Sequence, residues 1–108
     1  VIVVIINMTP HEVTLVGENG EVIRRFPPSG ELVRLSVQTA GAGEFDGVPL
    51  TRTEFGEPEG LPPVSEGTRL IVSAMVKSAL PERADLLVPN EAVRDPQGRI
   101  IGCRSLGV

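Results

Sequence analysis

The chain has 108 residues, 14 acids against 10 bases and a net charge of −4. This length suits one domain over residues 1–108 with one modest core, and 41% hydrophobic content excludes a disordered chain. With Phe26, Phe45 and Phe55 as the only aromatics, the core rests on Val, Ile and Leu, and nucleic-acid binding by ring stacking or by a basic surface is excluded.

Val1–Ile6 is apolar at every position and predicts a central strand covered on both faces. It is far too short to span a bilayer and lacks the flanks of a signal peptide. Thr9-Pro10 ends it, because proline cannot join a ladder. Glu12–Val16 and Glu21–Phe26 flank Gly17-Glu18-Asn19-Gly20, the clearest hairpin signal in the chain. After the Pro27-Pro28-Ser29-Gly30 turn, Val33, Leu35 and Val37 alternate with polar residues and predict a half-buried strand over Glu31–Gln38. Thr39–Gly43 reads as a small-residue loop, Asp46-Gly47 as a second turn and Pro49–Phe55 as a strand. Gly56–Gly67, rich in proline and glycine, reads as a stiff connector.

Arg69–Ser73 predicts a strand that ends on Ser73 as a helix N-cap. Ala74–Leu80 then makes about two turns of helix, stopped by Pro81, with Val76 and Leu80 on one face. Asp85–Val88 is a short strand, and Glu91–Arg94 and Arg99–Leu106 form a hairpin around Asp95-Pro96-Gln97-Gly98. Seven to nine short strands and one short helix give a mainly β domain, a small barrel or sandwich. The strand–helix–strand over 69–88 makes α+β the alternative.

Chemistry-bearing residues are few. His11 is the only histidine, so a histidine-rich metal site is excluded, and no cofactor motif is present. Asn7-x-Thr9-Pro10-His11 closes the first strand and delivers several hydrogen-bonding groups to one rim of the sheet, with the Asn7 and His11 side chains expected to bond backbone of a neighbouring loop. No serine sits in Gly-x-Ser-x-Gly, so nucleophilic catalysis with His11 ranks last among the readings. Cys103 alone forms no intramolecular disulfide. Its place in an apolar strand points to an inert, buried thiol in a reducing cytoplasm. Residues 61–108 carry six bases and five acids. Of these bases, Arg83, Arg94, Arg99 and Arg104 form the best anion-capable set, against the plainer reading that each pairs with Glu82, Asp85, Glu91 or Asp95.

The series Asn7-x-Thr9-Pro10-His11, Pro27-Pro28-Ser29-Gly30, Phe55-Gly56-Glu57, Gly60-Leu61-Pro62, Val72-Ser73, Leu80-Pro81-x-Arg83-x-Asp85-Leu86 and Arg94-Asp95-x-x-Gly98-Arg99-Ile100-Ile101-Gly102 resembles a family of small uncharacterised phage, prophage and actinobacterial proteins. The resemblance covers nearly the whole chain. It implies a cytoplasmic accessory protein serving a mobile element and supplies no catalytic residue. By analogy, such proteins bind a host protein or sequester a small signalling molecule. The sequence therefore points to a non-enzymatic binding protein for a small polar or anionic ligand, a nucleotide-type molecule among them, held by Asn7, Thr9, His11, Arg83, Arg94, Arg99 and Arg104. The alternatives are a protein–protein interaction module, as a homo-oligomer or host-factor inhibitor, and a hydrolase using His11. None of the three readings involves a membrane partner.

Overall fold

A computed structural model describes residues 3–108. Eight strands and one helix follow in chain order: β1 Val4–Asn7, β2 Val13–Val16, β3 Val22–Phe26, β4 Val37–Phe45, β5 Val48–Phe55, β6 Thr68–Ile71, α1 Ala74–Ala79, β7 Leu86–Arg94 and β8 Ile100–Gly107. The fold is mainly β with one short helix, as the turn density and alternation predict. Six strands form one mixed sheet in the order β1-β6-β7-β8-β2-β3, and β4 and β5 form a separate ribbon. The large sheet is open: among the described residues no ladder joins β3 back to β1. The barrel expectation is thus corrected to an open sheet.

The β6–α1–β7 segment is a parallel crossover, with Leu70 opposite Leu86 and Ile71 opposite Leu87. Parallel neighbours need such a connection, since a tight turn only joins antiparallel strands. Ser73 caps α1 by accepting a hydrogen bond from the Val76 amide at 3.3 Å. Successive residues of a strand face opposite sides, and here both sides are buried. Leu70, Val72 and Leu86 pack with Met8 and the helix residue Val76 in one core. Ile71 and Leu87 pack with Val13, Phe26 and Cys103 in the other.

This two-sided burial explains the apolar first run. Ile6 packs against the first core and Ile5 against the second. Ile5 and Ile6 are half-buried on opposite faces, but Val3 and Val4 are exposed and β1 is a terminal strand paired only with β6, so the expectation of a covered central strand is corrected. Val1 and Ile2 lie outside the described residues.

Three further expectations are corrected. Of Glu31–Gln38 only Val37 and Gln38 are strand, as the start of β4 opposite Phe55 and Glu54; residues 31–36 carry one isolated bridge, Arg34 to Glu59, and Val33 packs on the first core. Thr39–Gly43 is part of β4, because cross-strand pairing with β5 holds even a glycine- and alanine-rich run extended. The expected strands Asp85–Val88 and Glu91–Arg94 are one strand, β7, which starts at Leu86 and pairs with β6 at its start and with β8 beyond. Pro89 lies past the last β6 partner, so its missing N–H forfeits nothing on that side.

Candidate functional site

Asn7 organises the first rim. Its Nδ2 donates to the carbonyls of His11 (2.7 Å) and Phe26 (2.8 Å), and its Oδ1 accepts from the Thr9 amide (2.9 Å) and hydroxyl (2.6 Å). The amide orientation is dictated by its partners: carbonyls only accept and a backbone N–H only donates. The Ser29 amide also donates to the Asn7 carbonyl at 3.0 Å. Asn7 is 2% exposed and uses its full bonding capacity within the chain. It ties the ends of β1 and β3 to the following loop, so it shapes the rim from behind and offers nothing to a ligand. The expectation of backbone partners holds for Asn7. For His11 the bonded group is its carbonyl; the imidazole is exposed and makes no hydrogen bond among the described residues.

With the loop fixed in this way, Thr9, Pro10 and His11 form one wall of a cleft of about 490 Å³. Ala92 from β7, Ile100 to Cys103 from β8, and Val72 and Ser73 before α1 also line it. The walls are mostly apolar, with Thr9, His11, Thr14 and Ser73 as neutral polar handles and Glu12, paired with Arg25, as the one acid in the lining. Gly102 makes the approach of β8 to β2 feasible: a Cβ there would lie 2.8 Å from the Thr14 carbonyl oxygen and 2.6 Å from Val16 Cγ2. Cys103 is buried, its Sγ lies 3.6 Å from the Thr14 carbonyl oxygen, and burial pushes its thiol pKa up. The inert-thiol expectation fits this environment.

The four arginines do not converge. Arg94 pairs with Ile100 across the hairpin and Arg99 precedes it, so both neighbour the Ile100 end of the cleft without lining it. Arg94 donates to the Gly98 carbonyl at 2.7 Å, and Arg99 sits 3.5 Å from Asp95, with most of its side chain in solvent. Arg104 follows Cys103 and so faces away from the cleft, into a polar hollow lined by Glu18, Glu21 and Glu91. Arg83 lies beyond α1, where it forks onto Asp85 with bonds of 3.0 and 2.6 Å and also donates to the Pro62 carbonyl. That ion pair is largely buried; Arg83 beside it holds the Asp85 carboxyl below the usual carboxylate range, against the opposing effect of burial. Arg83 is thus committed to Asp85, in line with the plainer reading of the arginines.

Of the seven expected residues, Thr9 and His11 line the cleft, Arg94 and Arg99 border it, and Asn7 supports it. Arg83 and Arg104 lie elsewhere. Sequence reasoning missed Val72, Ala92, Ile100 and Ile101 as cleft walls. No local signal marks them, because the adjacent pair Ile100-Ile101 reads like Leu70-Ile71 and Leu86-Leu87, which fill the two cores. A second cavity, about 520 Å³, lies between the base of β5 and α1. Its lining includes Phe55, Ala74, Met75 and a single charged group, Glu57, and it lacks a convergent polar set.

Among the described residues no group of three or more His, Cys, Asp or Glu is placed to hold a metal ion, and no helix is long and apolar enough to cross a membrane. Comparison with protein-family models, with curated proteins and with solved structures finds no match to the chain.

Proposed function

We propose that the protein is a non-enzymatic binding protein whose site is the cleft between the Thr9–Thr14 rim and β8. The observation that carries this reading is the cleft itself. Its volume lies within the range of small-molecule sites, and apolar walls with a few polar handles are the usual design of such sites. A ligand with a flat apolar portion fits between Ala92, Ile100 and Ile101. Its polar groups meet Thr9, His11 and Ser73, and an anionic end reaches Arg94 and Arg99 at the open side. A nucleotide-type molecule has this distribution, and its sequestration would suit a cytoplasmic accessory protein of a mobile element.

A thermal-shift panel of nucleotides, sugar phosphates and uncharged nucleosides tests the proposal. At least one compound should raise the melting temperature of the wild type. Ala92→Phe, which fills the exposed wall of the cleft, should abolish that rise while leaving the ligand-free melting temperature nearly unchanged. A panel that shifts nothing, or a shift that survives Ala92→Phe, rejects the cleft as the site.

A second reading, a protein–protein interaction module, is favoured by a different observation. Every residue of β4 and β5 is exposed, and the radius of gyration, 17.1 Å, exceeds the roughly 13 Å of a compact chain of this length. A two-stranded ribbon is marginal in water unless another surface covers it.

A further inference from the structure

We infer that the β4–β5 arm is received by a second copy of this chain, in the open seam between β1 and β3. The inference rests on the interaction reading and names its partner. Cross-strand pairs share a face, and faces alternate along each strand. The register Phe45 to Val48 and Ala40 to Arg52 therefore places Phe45, Val48 and Leu50 on one side of the arm's outer half. Their exposures are 75%, 57% and 42%. Glu44 and Asp46 flank Phe45 at the tip, and Asp46 and Gly47 take the positive φ values of 51° and 74° that a two-residue hairpin turn requires. The arm is thus an apolar patch with an acidic end, held out from the body.

The seam has the complementary character. β1 and β3 are the two ends of the large sheet, so each has an edge without a strand partner. Asn7 fastens their C-terminal ends together through the Phe26 carbonyl, and among the described residues nothing bridges their N-terminal ends. Val3, Val4, Val22 and Ile23 are exposed there. Between the strands lies a cavity of about 310 Å³, lined by Ile5, Ile6, Phe26, Arg24 and Arg25 among others. Arg24 has no carboxylate partner among the described residues and stacks over Phe26 at 4.7 Å, and Arg25 pairs with the exposed Glu12 at 3.2 Å. Exposed apolar strand edges are surfaces that proteins normally cover.

Charge and area both point to the arm as the cover. The arm carries Glu44, Asp46 and Glu54 against Arg52, and the seam presents two arginines. Adjacent strand residues face opposite sides, so Phe45, Val48 and Leu50 meet one residue of Val3-Val4 and one of Val22-Ile23, which offers roughly 500 Å² of apolar surface per contact and about 1,000 Å² for two reciprocal contacts, the threshold of a specific interface. A reciprocal exchange closes under two-fold symmetry, the commonest arrangement of identical chains.

Light scattering on size-fractionated protein over a dilution series tests this. The wild type should run at twice the 11.5 kDa chain mass. Phe45→Ser with Val48→Ser, and separately Glu44→Arg with Asp46→Arg, should each weaken the dimer by about tenfold or more without lowering the melting temperature of the dissociated chain. Arg24→Glu with Arg25→Glu should weaken it comparably, and combining both charge reversals should restore it to within about threefold. A monomeric wild type, tip variants that dimerise like the wild type, or charge reversals that fail to compensate would each overturn the inference. The interaction reading fails separately, if the same tip variants also leave binding of every protein partner unchanged.

Discussion

Among the described residues Asn7 and Asp85 are the two buried polar side chains, and each makes a sharp prediction. Asn7→Ala leaves the carbonyls of Phe26 and His11 without their donor, so we expect a loss of about 2–3 kcal/mol in denaturant unfolding. Asn7→Asp should cost at least as much, because a carboxylate would face those two carbonyls. An Asn7→Asp protein as stable as the wild type would contradict the assignment. Asp85→Asn breaks a largely buried ion pair and should cost about 3 kcal/mol at neutral pH. Because the folded pKa of Asp85 is depressed, the pair's contribution is present above the unfolded value of about 3.9 and is lost as pH falls through the lower folded value. The stability gap between wild type and Asp85→Asn should therefore narrow below about pH 4, as read from melting temperatures across an acid series. The sequence signals both residues only in part. Asn7 stands out as the polar end of an apolar strand. The Arg83–Asp85 pairing is legible from spacing, whereas its burial depends on Pro62, 21 positions away.

At the scale of elements, the sequence predicts hairpins best, because their turns are coded locally. Gly17–Gly20, Asp46-Gly47 and Asp95–Gly98 each mark a turn that joins two paired strands. The cap at Ser73 and the stop before Pro81 bound the helix as expected. What fails is anything decided by a distant partner. Thr39–Gly43 has loop composition, and its strand state comes from cross-strand pairing with residues 51–53. Residues 31–36 have strand alternation without a strand beside them, and only Val37 and Gln38 join β4. Gly102 is a further element-scale requirement that no local pattern reveals. We expect Gly102→Ala to push β8 away from Thr14 and Val16 and to cost about 1–3 kcal/mol. Amide exchange should then rise in β2 and β8 ahead of β6 and β7. Uniform protection across all four strands would show that the close approach is not required.

For the whole molecule, topology assembles the cleft. The Asn7–His11 rim and the Ile100–Cys103 wall are about 90 residues apart, and they meet because β8 lies beside β2 in the sheet. The chain's own motifs name half of this site, Thr9 and His11 with the bordering Arg94 and Arg99. The apolar half, Val72, Ala92, Ile100 and Ile101, reads in the sequence as ordinary core and becomes a wall only once β7 and β8 are paired. The arm is likewise invisible to composition, since Phe45, Val48 and Leu50 look like core residues and are exposed only because β4 and β5 form a sheet of their own. The most direct test of the central claim is an amide-shift titration by nuclear magnetic resonance with nucleotides, sugar phosphates and nucleosides. The account predicts saturable shifts concentrated in residues 9–14, 72–73, 92 and 100–103, and their disappearance in Ala92→Phe. Shifts confined to Arg83 and Arg104, or none for any compound, would contradict it.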